Sequence, residues 1–294
     1  MRVAITGGTG FVGRHVAGAL SDPVIISRRT GVAVDDVEAL TAAFEGCEVV
    51  VHAAGINREI SDQTYAKVHL AGTAAVIAAA QAAGVAKIVM LSFLRARPGS
   101  GSDYHETKWQ AEEMIRSSGL DYTILKAGMI YGRGDHLIDH LSHTVQTLPL
   151  FATVGLREKP IRPVPIADLV DVIVAAAGGR LARETVRVVG AEELLLSDAV
   201  RRVARIVGRR VVVLPGPVWA LRLLGRVTEL TMKVPLVATA QVQMLAEGVS
   251  EAWGSYDELP ADLAPATMFT DEQIRLALPE PGGFGLSNLR LTRS

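Results

Sequence analysis

The sequence is short of cysteine, of aromatic side chains and of any excess of one charge, and each shortage excludes something. Cys47 is the single cysteine in 294 residues, so an internal disulfide and a cysteine-based zinc cage are both excluded, and no metal site is expected. Against 30 basic side chains stand 31 acidic ones, a formal net charge of −1 with a sequence pI of about 6.7. A chain so balanced offers a polyanion no footprint, and nucleic-acid binding is not expected. Long apolar runs are missing too. The most apolar late stretch, 217–245, is broken by Arg222, Arg226, Glu229 and Lys233, which argues against a membrane crossing. Met1-Arg2 leads directly into the strand-like Val3-Ala4-Ile5 without an apolar leader, so the cytoplasm is the expected compartment.

What is present is an ordinary globular composition, 49% apolar and 21% charged, enough for one large domain or a main domain with a smaller partner. Short β-branched runs alternate with Ala-rich segments of helical period. Strands are predicted over 3–6, 24–27, 48–52, 87–91 and 122–125, with helices over 13–20, 36–44, 72–83 and 104–117. This alternation predicts an α/β fold, a doubly wound parallel sheet of Rossmann type. Val49-Val50-Val51 is apolar on successive residues, as a strand covered on both faces requires. Beyond about Gly132 the alternation weakens. The sequence there suggests a helix from His136, a strand near 162–165, a helix begun by Asp168 as N-cap, an amphipathic helix over 197–207, a strand over 210–214, the breaker Pro215-Gly216-Pro217, and an irregular tail over 279–294. The reading is a cofactor domain over 1–169, its core mostly within 1–132, and a smaller α/β substrate or partner lobe over 170–294 interleaved with it.

The first strand runs into Thr6-Gly7-Gly8-Thr9-Gly10-Phe11-Val12-Gly13, glycines at G-x-x-G-x-x-G spacing between a strand and a helix. Such a turn lets backbone approach a pyrophosphate closely and presents the free N–H groups of a helix start to the anion, so Gly7, Thr9, Gly10, Phe11, Val12 and Gly13 are candidate dinucleotide contacts. The second strand ends Ser27-Arg28-Arg29, where an NAD site usually carries a carboxylate for the ribose hydroxyls. A guanidinium attracts the 2′-phosphate instead, which favours NADP(H); two arginines at a strand end are also common solvated surface. Asp36-Val37 is a candidate adenine-side contact, although Asp36 serves equally as an N-cap. Ala53-Ala54-Gly55, after His52, leaves room for a cofactor across the sheet edge, while His52 itself is more often a core histidine. In Tyr104-His105-Glu106-Thr107-Lys108 the tyrosine and lysine share one helix face. A nearby ammonium is expected to lower the phenol's pKa from about 10 and make it a usable acid/base.

With these motifs the sequence resembles the short-chain dehydrogenase/reductase superfamily over about residues 1–169. The glycine spacing, His52-Ala53-Ala54 and the stretch from Tyr122 to Gly132 are similar to its extended and atypical branches. Met90-Leu91-Ser92-Phe93-Leu94 followed by Tyr104 and Lys108 resembles the atypical group containing the nucleotide-binding accessory subunit of respiratory complex I, a family known for holding NADPH tightly with little turnover. The resemblance implies that Tyr104 is the catalytic acid/base, that Lys108 holds the nicotinamide ribose, and that Leu91, Lys126, Ala127 and Met129 add cofactor contacts. It also implies a serine that polarises the substrate carbonyl. That position falls on Phe93, with the candidate Ser92 one place early and Ser100 and Ser102 as loop substitutes. The family's helix asparagine falls on His69, its arginine–proline on Lys126-Ala127, and an acidic residue usual before Asp35-Asp36 on Ala33.

Three readings of function follow. The first is an NADP(H)-dependent oxidoreductase acting on a carbonyl or hydroxyl of a small molecule. The second is a non-catalytic module in which bound NADPH stabilises a partner or reports redox state. The third is a sugar-nucleotide epimerase or dehydratase, for which the C-terminal half offers arginines such as Arg157 and Arg162 but no diphosphate motif. The apolar stretch around Trp219–Leu224 suggests a greasy pocket or a protein or membrane-surface contact, with core packing the commoner explanation.

Overall fold

The computed structural model describes residues 1–232 and 237–284. Two compact units divide the chain. The first comprises Met1–Ala127, Ile166–Val188 and Glu251–Pro265, and the second Gly128–Pro165, Val189–Ser250 and the residues from Ala266 onward.

The first unit is built on β1 (Val3–Thr6), β2 (Pro23–Ile26), β3 (Val49–His52), β4 (Lys87–Phe93), β5 (Asp121–Ala127) and β9 (Glu184–Val188), in the order β2-β1-β3-β4-β5-β9. Every pairing is parallel. The helices α1 (Phe11–Ala19), α2 (Val37–Phe44), α3 (Gly72–Ala82), α4 (Asp103–Ser117) and α6 (Ile166–Ala177) cover it. Alternate strand residues Ala4, Val50, Ile88, Met90 and Ile124 form one apolar layer with Leu40, Phe44, Val76, Ala79, Ala111 and Ile115 of α2, α3 and α4. All four residues of β3 are buried, as the doubly wound fold demands. From β1 the chain steps to β2 on one side and then to β3 on the other, so the crevice for a ligand opens at the carboxyl ends of β1 and β3.

The sequence misses β9 because it is an edge strand, Glu-Thr-Val-Arg-Val, whose charges read as loop; Arg187 within it pairs with Glu251 and Glu258. Its sheet therefore extends past residue 169, and the expected domain boundary falls inside α6. Asp168 is not an N-cap but lies in the first turn of α6, where a carboxylate still favours the helix dipole.

In the second unit, β7 (Leu150–Val154) pairs in parallel with β10 (Val212–Gly216), and the short β6 (Ile130–Tyr131) with β8 (Val164–Pro165). Five helices accompany them: α5 (Leu137–Thr147), α7 (Leu196–Ile206), α8 (Val218–Thr231), α9 (Thr239–Glu247) and α10 (Asp271–Ala277). Pro215-Gly216 does not break β10 but closes it, which a two-stranded ribbon tolerates because one strand edge is unpaired. No regular element forms over 279–284, and the rest of the expected tail lies outside the described residues.

Candidate active site

The glycine turn has the close packing that its spacing predicts. Gly7 adopts φ +70°, and a Cβ there would stand 2.7 Å from the Cα and N of Ala54. A Cβ at Gly13 would overlap the Gly7 carbonyl oxygen and lie 2.7 Å from Gly8 Cα. These two glycines let α1 start directly against β1 and the end of β3. Gly10 differs: it is exposed, and a Cβ there would meet only Gly7 O, at 3.1 Å. Gly10 is the N-cap of α1, with no side-chain cap, so the first-turn amides from Phe11 to Gly13 keep the donors that an anion needs. Thr9 and Phe11 flank this open edge, half-buried, while Val12 is buried beneath it. The residues therefore fit a dinucleotide pyrophosphate.

After β2, the Ser27 hydroxyl accepts a bond from Thr30 N, and Thr30 Oγ1 accepts one from Ser27 N. This reciprocal cap fixes a short 3₁₀ turn that leaves Arg28 and Arg29 exposed beside the crevice. Asp36 accepts from Ala39 N at 3.0 Å and so caps α2, with Val37 exposed next to it. Ala53 and Ala54 are half-buried and Gly55 exposed at the end of β3. His52 is a core histidine: it is bonded to the Thr6 and Thr73 hydroxyls, and burial together with the Lys108 charge lowers its pKa to about 3.

Tyr104 and Lys108 lie one turn apart on α4, both buried. Lys108 Nζ donates to the Leu91 carbonyl at 3.2 Å, and a Cβ at Gly55 would sit 3.1 Å from it. The ammonium therefore stands at the carboxyl ends of β3 and β4, beside the crevice. Burial lowers its pKa to about 8, against the pull of Glu112. The expected lowering of the Tyr104 pKa is not found. Burial, reinforced by Tyr65, pushes the phenol up instead and holds it protonated. Its ring packs among Phe93, Tyr65, His69 and His105, with centroids 5.3 to 5.8 Å apart.

Tyr65 and the bracing role of His69 were not evident in the sequence. Tyr65 belongs to no motif; it ends a loop and donates to Asn57 O at 2.9 Å. His69 sits on a π-turn over 66–71, a local widening that often marks functional sites. Ile56 N donates to its Nε2, which must therefore be bare, and Nδ1–H donates to Thr107 Oγ1, whose hydroxyl donates in turn to Asp103 O. The imidazole is locked neutral as a brace between the β3 loop and α4, and burial lowers its pKa to about 2. Glu112 did carry a signal: it follows Tyr104 and Lys108 at the same four-residue step.

Ser92 is not brought to the phenol. Its hydroxyl donates to Glu112, and the ring of Phe93, the next residue, faces Tyr104. One residue along a strand reverses the side chain's face, which is why the shifted serine fails. Lys126 is likewise drawn away from the expected cofactor role, buried and paired with Glu112 at 3.0 and 3.1 Å and donating to Ala96 O. Ala127 ends β5 opposite Phe93, and the Met129 carbonyl, in the second unit, accepts from Val164 N. Lys126→Met removes one of the two cations on the buried Glu112 carboxylate, which keeps Arg116 at 3.1 Å and the Ser92 hydroxyl, and should destabilise the fold by about 1–3 kcal/mol. NADPH affinity of the folded protein should be unchanged; urea unfolding and cofactor titration measure the two separately.

Residues 7–138 match a family of NAD(P)H-binding domains. A ceramide reductase of Caulobacter vibrioides is 32% identical over 180 residues, 55% of this chain and 53% of that protein, so the chain's match spans about half that relative's length. Subunit 9 of the mouse mitochondrial NADH dehydrogenase 1 alpha subcomplex is 24% identical over 82% of this chain and 70% of its own. Among solved structures, a nucleoside-diphosphate-sugar epimerase of Staphylococcus aureus superposes with a TM-score of 0.69 at 16% identity, covering 91% of this chain and 98% of its own. That likeness is one of fold. No helix among the described residues is long and apolar enough to cross a membrane.

Proposed function

We propose that this chain, an NAD(P)H-binding protein of Rossmann type resembling the extended and atypical short-chain dehydrogenase/reductases, reduces a carbonyl carbon at the expense of NADPH. The observation that carries the reading is the placement of Tyr104 and Lys108, buried one turn apart on α4, with Lys108 Nζ against Leu91 O and Gly55 beside the glycine turn. When bound, the cofactor supplies the hydride. Gly7, Gly10 and Gly13 would hold its pyrophosphate at the start of α1, and Ala53, Ala54 and Gly55 would leave room for it across the strand ends.

The rest of the chemistry belongs to the chain. The buried phenol of Tyr104 stays protonated at neutral pH and donates that proton to the oxygen that gains negative charge as the carbonyl is reduced. The Lys108 ammonium would donate to ribose hydroxyls and stabilise the phenolate left behind, an electrostatic effect strengthened by burial. Phe93 supplies an apolar wall where the family places a serine, so the site excludes water but gives the carbonyl one donor rather than two. That wall and the ceramide reductase relative make a long-chain or otherwise lipid-like ketone the first substrate class to screen. The second unit is the proposed substrate lobe, and the cytoplasm the proposed compartment. Incubating the protein with NADPH and such ketones and following loss of the reduced-nicotinamide absorbance tests the activity.

Phe93 against Tyr104 also favours a second reading, a module that holds NADPH without turnover, as the resemblance to the complex I accessory-subunit group implies. Absence of turnover across a broad ketone panel, with NADPH still bound, would select it. In either case NADPH should bind at least about tenfold more tightly than NADH, about 1.4 kcal/mol, because the exposed Arg28 offers the 2′-phosphate a charge-assisted partner. Arg28→Ala should erase most of that preference. Equal affinities of the parent protein for the two cofactors, measured by fluorescence titration, would remove Arg28 from the site.

A further inference from the structure

Helix α8 turns one side inward and leaves the other uncovered by the described residues. Leu221, Gly225 and Thr228 are buried, and Leu221 packs with Val154 of β7 and Val242 of α9. On the opposite side Trp219, Leu223, Val227 and Leu230 are exposed by 72%, 57%, 48% and 74%. Their spacing of four, four and three places all four within an arc of about 80° at 100° per residue. Arg226 and Arg222 border this arc, about 20° and 60° from its edge, and both are exposed. Among the described residues neither arginine has an ion-pair partner. The helix's one carboxylate, Glu229, is turned inward and accepts from the Thr239 N and Oγ1 at 2.8 and 3.0 Å.

We infer that this face of α8 docks on the surface of an anionic lipid bilayer. The charge pattern selects that occupant. A second copy of the chain pairing through the same face would bring Arg222 and Arg226 toward the arginines of the other α8, whose one carboxylate, Glu229, is held by Thr239. An anionic headgroup layer meets the arginines directly, while Trp219 and the three aliphatic residues enter the boundary between headgroups and acyl chains, tryptophan being well suited to that depth. The stripe spans about 16 Å at 1.5 Å per residue, too short to cross and suited to lying in the plane. The inference stands whether or not the protein proves to be a reductase.

Flotation with vesicles of phosphatidylcholine alone and of phosphatidylcholine with phosphatidylglycerol tests it on the full chain. The protein should float with the anionic vesicles and much less with the neutral ones, and added salt should weaken the association. Arg222→Gln with Arg226→Gln should weaken it about twenty-five-fold, from about a factor of five per arginine. Leu223→Ser with Leu230→Ser should weaken it about tenfold or more, because apolar area is no longer buried. Both pairs alter exposed residues; retained NADPH binding and circular dichroism verify that the variants fold. Failure to float with either vesicle overturns the inference. So does flotation unaffected by both double variants, or a dimer in sedimentation equilibrium that Leu223→Ser with Leu230→Ser dissociates while vesicles are ignored.

Discussion

Tyr104→Phe should lower the rate of ketone reduction by about 10²–10⁴-fold while leaving NADPH affinity within a factor of about two. The substitution keeps the ring that packs against Phe93, Tyr65, His69 and His105 and removes only the hydroxyl. Without it the nascent alkoxide must take its proton from water, which the buried position of residue 104 keeps away. His69 cannot substitute, because both of its ring nitrogens are committed, one as acceptor and one as donor. Rate and affinity are measured separately, by absorbance under saturating cofactor and by fluorescence titration. A Tyr104→Phe protein that reduces ketone at the parent rate would remove the phenol from the chemistry while leaving the cofactor fold intact.

That expectation comes from a part of the molecule that is legible in the sequence, and its neighbourhood shows where legibility stops. Strands buried on both faces announce themselves as continuous apolar runs, so β1, β3 and β4 were readable, as was the glycine turn between β1 and α1. The Tyr104–Lys108 pair was readable because a helix fixes which residues share a face. The phenol's protonation state was not. It depends on how many apolar and aromatic neighbours exclude water, and Tyr65 arrives from a segment with no motif. Ser92 shows the same limit in another form: the resemblance implies a serine near the site, but strand alternation turns this one toward Glu112. The neighbouring Lys126 looks like a family ligand until its buried partner is seen. The second unit was least legible, because β7 and β10 form a two-stranded ribbon joined across about 60 residues, and such a pairing leaves no local pattern.

Gly10→Val should abolish NADPH binding, raising Kd at least about a hundredfold, about 2.7 kcal/mol, in a protein that still folds. Gly10 has φ −75°, open to any residue, and its added Cβ touches only the Gly7 carbonyl at 3.1 Å. The valine branches therefore project over the uncapped start of α1, into the space assigned to the pyrophosphate. Gly13→Val must behave differently. Its Cβ would overlap Gly7 O and stand 2.7 Å from Gly8 Cα, so the turn itself has to move, and both stability and cofactor binding should fall. Thermal unfolding separates the two: Gly10→Val should melt within a few degrees of the parent, Gly13→Val well below it. If the folded Gly10→Val protein retained the parent NADPH affinity, the pyrophosphate would have to bind elsewhere.

The most direct measurement is a single-turnover experiment, in which protein loaded with one equivalent of NADPH is mixed with a long-chain ketone and the reduced-nicotinamide absorbance is followed. The parent protein should oxidise its bound NADPH in one exponential phase and release the corresponding alcohol, and Tyr104→Phe, loaded equally, should do so about 10²–10⁴-fold more slowly. Equal rates for the two proteins, or no oxidation by the parent with any ketone that competes for the site, would contradict a reductase built on Tyr104 and Lys108.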